Sequence, residues 1–399
     1  MTAASDQPTP DSSPDSKGET ESAQQLRIAF WNLQNLFDIE TSPIAAELDY
    51  TAVNGWDRRA FDHKVSALVP VIQGLFDGQG PDLLGLCEVE NERVIRRLLQ
   101  DIGRDDYQWL QVEHPDITGL DTALIYSDRI FEADVIRSRY HLIDQRFPTG
   151  DILEVPLRVR ATGAELLVFV NHWPSRRSGT KETEPFRIAV ASHLARLVND
   201  HLRMSRRDYL DLSSTDVALF ELNERWNRNV LVMGDFNDEP WDDSVRNRLS
   251  AAFSSQFLNE SPGFVREKLP SYRAYSERRA WLFNPMWSLL TTPDVGTVRS
   301  LENPRRMLLT DQFLLSKGLF AGLQGLTMKE SDDDRFPVRI ARPAELRRED
   351  GSPRGFQLDS QTGASDHFPI TLTLTTTGAS ENAANKQAED FAIGNSRDS

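Results

Sequence analysis

Cysteine is almost missing: among 399 residues there is one, Cys87, which rules out an intramolecular disulfide and a cysteine-rich zinc site. Long apolar runs are missing too. No stretch reaches the ~20 residues needed to cross a bilayer as a helix, so no membrane span is expected. The first 25 residues lack the apolar core of an export signal and are rich in Ser, Thr, Pro and Asp. Residues 1–25 read as a solvated tail, as do 376–399. These absences give a reducing, cytoplasmic setting as the expectation. Positive charge is in deficit: 45 Lys and Arg against 61 Asp and Glu leave a formal net charge of −16. Five acids and one lysine put −4 on residues 1–24, four acids and two bases put −2 on 376–399, and the body keeps about −10. An acidic body excludes a generally adhesive nucleic-acid binder, so a polyanion would be met by a local basic patch or through bound cations.

What the chain does have is a series of short apolar segments that end in polar side chains. With 39% apolar residues, 26–375 can bury a substantial core and reads as the folded body. The organising stretch is Val230-Leu231-Val232-Met233-Gly234-Asp235-Phe236-Asn237, closed by Pro240. Four residues suited to a buried strand end at a glycine. Asp235 and Asn237, one residue apart, then face the same way in an extended chain. A carboxylate beside an amide at a strand's end can hold a water near a phosphate or a metal. Standing alone, the stretch would be a strand followed by an Asx turn.

The pattern recurs. Leu26 to Trp31 is apolar and ends at Asn32; Asp82 to Cys87 ends at Glu88, a carboxylate that needs a cation or a partner once it leaves water. Cys87, facing the other way, reads as a small core residue. Thr122 to Tyr126 is a further strand, with Asp121 before it as a turn residue. Leu166 to Val170 runs into Asn171 and His172, and the basic loop Ser175 to Lys181 follows, where contact with a phosphate would be wanted. Asp311 starts a strand that continues to Ser316, and Asp366 with His367 precedes the last strand, Ile370 to Leu374.

Helical periods lie between the strands. Asp57 caps one with Phe61, Val65, Leu68, Ile72 and Leu75 on one face; Thr183 and Pro185 open another with Ile188, Ala191, Ala195, Val198 and Leu202; 215–226 is a third, less regular. Trp241 to Arg306 mixes aromatics with bases, Tyr272, Arg273, Tyr275 and Arg279 among them. That stretch is open between stacking on a nucleic-acid strand and ordinary loop and helix positions. Residues 329–360 have few apolar anchors and read as a surface excursion.

Taken in order, Phe30-Trp31-Asn32, Leu86-Cys87-Glu88, Val170-Asn171-His172, Gly234-Asp235-Phe236-Asn237, Asp311-Gln312-Phe313 and Ser365-Asp366-His367 resemble the motif series of the endonuclease/exonuclease/phosphatase superfamily, which includes deoxyribonuclease I-like enzymes. The resemblance spans roughly 26–375. It implies an α/β fold, a four-layered sandwich of two mostly antiparallel sheets flanked by helices, with an active site at one end. It implies that Glu88 binds a divalent cation, Mg2+ with Mn2+ as an alternative, while Asn32 and Asp366 orient or complete the metal site. Asp235 and Asn237 would position and deprotonate the attacking water. His367, oriented by Asp311, would act as base or phosphate contact, and Asn32, His172 and Arg176 would meet the phosphate. Two positions depart from the pattern. Gln34 stands where abasic-site endonucleases have an Asp, and Gly150 stands where relatives often have an Arg, a role left to Arg146, Arg158 or Arg176.

The expected activity is metal-dependent phosphodiester hydrolysis by in-line attack of water, with a nucleic acid as the leading substrate. The alternative is a phosphatase or phosphodiesterase acting on a small phosphorylated molecule or lipid headgroup. A binding module without catalysis is the third reading, disfavoured because every polar position of the series is filled. No obligate protein partner is evident.

Overall fold

The computed structural model describes residues 23–40, 50–111, 120–143, 152–212, 215–254, 271–291, 295–328 and 338–377. Most of both tails, Arg146, Gly150 and the first part of the 329–360 stretch lie outside them. Along the chain run β1 (Gln25–Leu36), β2 (Leu83–Val89), β3 (Tyr107–Gln111), β4 (Asp121–Ser127), β5 (Phe131–Ala133), β6 (Arg139–His141), β7 (Ile152–Val159), β8 (Glu165–His172) and β9 (Val230–Asp235). Then come β10 (Ala251–Ala252), β11 (Leu282–Phe283), β12 (Val298–Arg299), β13 (Met307–Leu308), β14 (Asp311–Ser316), β15 (Leu326–Met328), β16 (Val338–Ile340) and β17 (Ile370–Thr376). One sheet is ordered β15-β17-β1-β2-β4-β3 with β16 also on β17; the other is ordered β10-β11-β14-β9-β8-β7-β5 with β6 also on β7. Neighbours are antiparallel except β1/β2, β8/β9 and β10/β11.

Central strands here are apolar on both faces because both faces are covered. Along β9, Leu231 and Met233 turn inward to the other sheet, while Val230 and Val232 turn outward to a helix. Phe30, Cys87, Leu124, Val168 and Phe313 fill the space between the sheets. Outside the first sheet, α1 (Arg58–Gly78) and α2 (Glu92–Ile102) bury Val65, Leu68, Ile95 and Leu98 against Trp31, Leu84, Leu86 and Ile125. Outside the second, α3 (Thr180–Leu202) lays Val190, Leu194 and Val198 on Phe169, Val230 and Val232. The molecule is thus the four-layered α/β sandwich expected, with two mostly antiparallel sheets flanked by helices.

The sheets approach closely at Gly85, where an added Cβ would lie 2.7 Å from Met233 Sδ and 3.0 Å from Phe30. Asp57 caps α1 by accepting from Ala60 N–H at 2.9 Å. No described helix is long and apolar enough to cross a membrane.

Two expectations change, those for Asp121 and for 329–360, and one open reading resolves to the ordinary one. Asp121 is not a turn residue: it opens β4, buried, beside the point where β2 loses its register. Tyr272 and Tyr275 pack with Met204, Tyr209 and Leu222 in a small separate core, and the Tyr275 hydroxyl accepts from Met204 N–H at 2.8 Å. They are therefore ordinary packing residues. Of the stretch read as a surface excursion, 338–360 is anchored structure. Val338–Ile340 joins the first sheet as β16, and Leu346 and Phe356 are buried in the core under α1 and α2. Two well-placed apolar residues and a strand pairing suffice where the composition suggested too few anchors.

Candidate active site

The polar ends of separate strands meet at one rim of the sandwich. On the second sheet Asp311, Asp235 and His172 stand in a row, because Asp311 is the register partner of Asp235 across β14/β9 and Asp235 that of His172 across β9/β8. Gly234 permits this row: a Cβ there would lie 2.3 Å from the Asn171 carbonyl oxygen on β8. On the first sheet, Asn32 and Cys87 end the regular β1/β2 pairing, which resumes at Leu36 and Val89. Three residues of β1 therefore stand opposite one of β2, and that one is Glu88.

The bulge aims Glu88. Alternation sends Leu84 and Leu86 to the helix layer and would send Glu88 there as well. Its backbone instead turns left-handed, φ 60°, and opposite it Gln34 and Asn35 are left-handed too, at 54° and 56°. Such backbone is strained in non-glycine residues and persists only when its surroundings hold it. Here Asn35 N–H donates to Glu88 Oε2 at 2.8 Å, and Asn32 Nδ2 donates to Glu88 Oε1 at 3.0 Å. Asn32 Nδ2 also donates to Asp235 Oδ2 at 3.1 Å, joining the two sheets across their seam.

The segment before β17 completes the floor. Ser365 Oγ donates to Asn32 O at 2.7 Å, and Trp31 Nε1 donates to His367 O at 2.8 Å, so the turn is fastened to β1. His367 Nδ1 lies 2.8 Å from Asp311 Oδ2, and its Nε2 lies 3.8 Å from Asp235 Oδ2. Burial works against a charge on this ring, but Asp311 and Asp235 outweigh it and hold its pKa well above the usual value. Burial likewise opposes ionisation of Asp235, yet His367, His172 and the Asn237 amide bring its pKa below the usual carboxylate value. Asp311 is raised, chiefly by burial.

A cleft of about 1500 Å³ opens over this floor, and Glu88, His172, Asp235, Asn237, Asp366 and His367 line it. Asn32 and Asp311 are buried beneath them. His172 Nε2 lies 3.5 Å from Glu88 Oε1. Asn237 donates its N–H to Asp235 Oδ1 at 2.9 Å and its Nδ2 to Trp173 O at 2.9 Å. The Asp366 carboxylate lines the cleft together with Glu88 and accepts no hydrogen bond among the described residues; burial, then the charge of Glu88, raises its pKa, with His367, Lys64 and Arg177 opposing.

Among the described residues at this rim, two sets of groups could hold a cation. Asp235, Asp311 and His367 offer ligand atoms within 4.8 Å of one another. That trio already contains its own cation, the imidazolium between two carboxylates. Glu88 with Asp366 is the set whose negative charge is answered less directly.

Arg176 lines the cleft, but its guanidinium turns away from it. Nε donates to Asn237 O, and one terminal nitrogen lies 2.7 Å from Asp238 Oδ1 and 2.5 Å from Asp242 Oδ2. The expected phosphate contact is instead a brace for the loop after β9. Its neighbour Arg177 is exposed on the cleft with no side-chain partner among the described residues. Arg158 lies at the far end of β7, six residues from Ile152 and roughly 20 Å along the strand, so it does not reach the cleft. Gln34, in place of the acid of the abasic-site enzymes, accepts from Phe356 N–H at 2.7 Å with its Oε1. It therefore ties the cleft wall to the bulge.

Sequence reasoning missed three contributors. Asp238 is buried against Arg187, with Nε 2.7 Å from Oδ1, and accepts from Ser244 at 2.6 Å. Tyr50 accepts from Asn35 Nδ2 at 2.7 Å. Lys64 is fully buried on α1 and reaches the bulge carbonyls. A lysine at an apolar helix position was the one available signal.

The chain finds no match among curated sequences. Among solved structures, it is similar to an endonuclease/exonuclease/phosphatase family protein from Bacteroides thetaiotaomicron (14% identity, 89% of this chain and 99% of that one, TM-score 0.49). It is also similar to a mannosyl-6-phosphatase of the same organism (15%, 88% and 99%, 0.49) and to the human Nocturnin catalytic domain with bound sulfate (16%, 88% and 95%, 0.46). The endonuclease/exonuclease/phosphatase family model matches residues 27–376, nearly the whole described body, and the chain belongs to that family.

Proposed function

We propose that the protein is a divalent-metal-dependent phosphodiester hydrolase acting on nucleic acid. Phosphoester hydrolysis is the chemistry of its family; the finer reading rests on the site. The observation that carries it is the Asn32 amide, which donates to Glu88 on one sheet and to Asp235 on the other. On this reading one amide keeps a metal-side acid, Glu88, and a water-side acid, Asp235, within reach of the same phosphate.

The donor set fits a hard cation. Glu88 and Asp366 are like-charged carboxylates, and the pKa of Asp366 is raised first by burial and then by the charge of Glu88. A Mg2+ or Mn2+ ion between them would relieve that repulsion, and oxygen-only donors suit such ions. Bound there, the cation supplies charge stabilisation to the phosphate oxygens. Asp235, kept ionised, accepts the proton of the attacking water, and Asn237 fixes its orientation. His367 and His172 donate N–H groups to non-bridging oxygens, where charge accumulates. Asp311 accepts from Nδ1 of His367, leaving Nε2–H to face the cleft. Arg177 offers a charge-assisted contact to an adjoining phosphate.

A second reading, a small phosphorylated substrate, is favoured by one observation. Arg176 and Arg306 at the cleft are paired with Asp238, Asp242 and Glu239, and Arg299 with Asp350, so little of their charge is left for a polyanion.

The test is a substrate panel of plasmid and single-stranded DNA, RNA, a chromogenic diester and a set of sugar and inositol phosphates, each with Mg2+ and with EDTA. Cleavage of nucleic acid that EDTA abolishes supports the proposal. Intact nucleic acid with turnover of a small ester replaces it by the second reading, and turnover unaffected by EDTA removes the metal.

A further inference from the structure

We propose that Lys64 is a positioning residue for Glu88: from the α1 side it ties off the β1 bulge, and the bulge in turn holds the carboxylate toward the cation. This inference rests on the reading that Glu88 holds the metal.

The β1 bulge takes three residues out of the β1/β2 ladder, opposite Glu88 alone. Its peptide groups then need other partners, because a buried carbonyl without a donor destabilises the fold. Lys64, 1% exposed, answers two of them. Its Nζ donates to Gln34 O and, at 3.3 Å, to Asn35 O. These are the two consecutive left-handed residues of the bulge. The amide of Asn35 points the other way, onto Glu88 Oε2. One residue thus carries the tether on its carbonyl and the carboxylate on its N–H.

An apolar surface packs around the ammonium. Nζ lies 5.3 Å from the ring centre of Phe356 and 5.9 Å from that of Trp56, within cation–π range. Burial brings its pKa down to about 7, with Glu88 and Asp366 opposing. The tether does not depend on that charge: a neutral amine keeps two N–H groups, enough for two carbonyls. Lys64 also sits on the same bulge that Gln34 stitches to Phe356, so the cleft wall and the metal-side acid share one anchor.

A lysine that only filled space would alter stability alone. A positioning lysine alters metal binding through Glu88, and a double-mutant cycle separates the two. Mg2+ alone is titrated calorimetrically into the parent, Lys64→Met, Glu88→Gln and the double variant, with melting temperatures measured in parallel. Kinetics are followed as a function of Mg2+. The expected result is a tenfold or greater weakening of Mg2+ binding in Lys64→Met and in Glu88→Gln, and a double variant no weaker than Glu88→Gln. In Lys64→Met, saturating Mg2+ restores kcat and leaves the KM for substrate at its parental value. Lys64→Gln, which keeps a donor in the pocket, falls between Met and parent and carries the comparison if Lys64→Met does not fold. Parental Mg2+ affinity in a folded Lys64 variant, or additive losses in the double variant, overturns the proposal. Parental affinity in Glu88→Gln instead overturns the metal assignment beneath it.

Discussion

Asp235 and Asp311 are register partners on adjacent antiparallel strands, both buried, and the His367 ring lies against both carboxylates. Two acids so placed would repel each other without the imidazolium, and they in turn hold its proton. The pair divides the work. Asp311 is bonded to Nδ1, whereas Asp235 accepts from Asn32 and Asn237 and reaches the cleft.

Asp235→Asn keeps the volume and one of the two accepting oxygens while removing the group proposed as proton acceptor. We expect kcat/KM to fall about a thousandfold, or ~4 kcal/mol of transition-state stabilisation. The urea midpoint should change little. Turnover within tenfold of the parent would remove Asp235 from the role of base.

Asp238→Ala should be the more damaging change to the fold, although Asp238 touches no part of the reaction volume. It leaves the fully buried Arg187 without its counter-charge, a loss of about 4 kcal/mol in comparable cases. Arg176 loses one of its two acids as well, so the loop carrying Asn237 loosens. Equilibrium urea unfolding measures the first effect, and KM measures the second.

Gly234→Ala tests how tightly β8 and β9 meet beneath the row of acids. The new Cβ would fall 2.3 Å from the Asn171 carbonyl oxygen, backbone that cannot rotate away. A destabilisation of about 3 kcal/mol is expected from overpacking. Parental stability would mean that the strands separate more easily than their register implies.

His201, near the end of α3, sets an acid-side limit on stability. Burial lowers its pKa from 6.5 to about 4, with Arg228, Arg225 and Arg137 adding to the shift and Glu154 opposing it. Its folded pKa lies below its unfolded one, so between those values the unfolded chain binds the proton and the folded chain does not. Stability is therefore full above pH ~6.5 and declines as pH falls toward ~4. Partial exposure limits the loss to about 2 kcal/mol. His201→Asn should flatten that limb of a pH series of urea midpoints.

The sequence made much of this site legible because polar residues at the ends of buried strands stand out against apolar runs. Asn32, Glu88, His172, Asp235, Asp311 and His367 were readable that way, and the structure gathers them on one rim. Arg176 and Lys64 were not. A basic loop beside a histidine looks like a phosphate clamp, but only the fold reveals that Asp238 and Asp242 lie under it. Lys64 sits in a helical period whose neighbours are apolar, and no local pattern says that its tip meets a bulge 30 residues earlier. The wall from 338 to 360 was misread for a related reason: its anchors are few, and their partners are distant in sequence.

Gly85 and Met233 touch between the sheets three residues before Glu88 on β2 and two before Asp235 on β9. The spacing between the strand ends that carry Glu88 and Asp235 is thus gauged by solid apolar packing directly below it rather than by the surrounding loops. Interiors of this kind barely compress. Widening that spacing by a single methyl group, as Gly85→Ala would attempt, is a way to detune hydrolysis from inside the protein without touching any group that meets the phosphate.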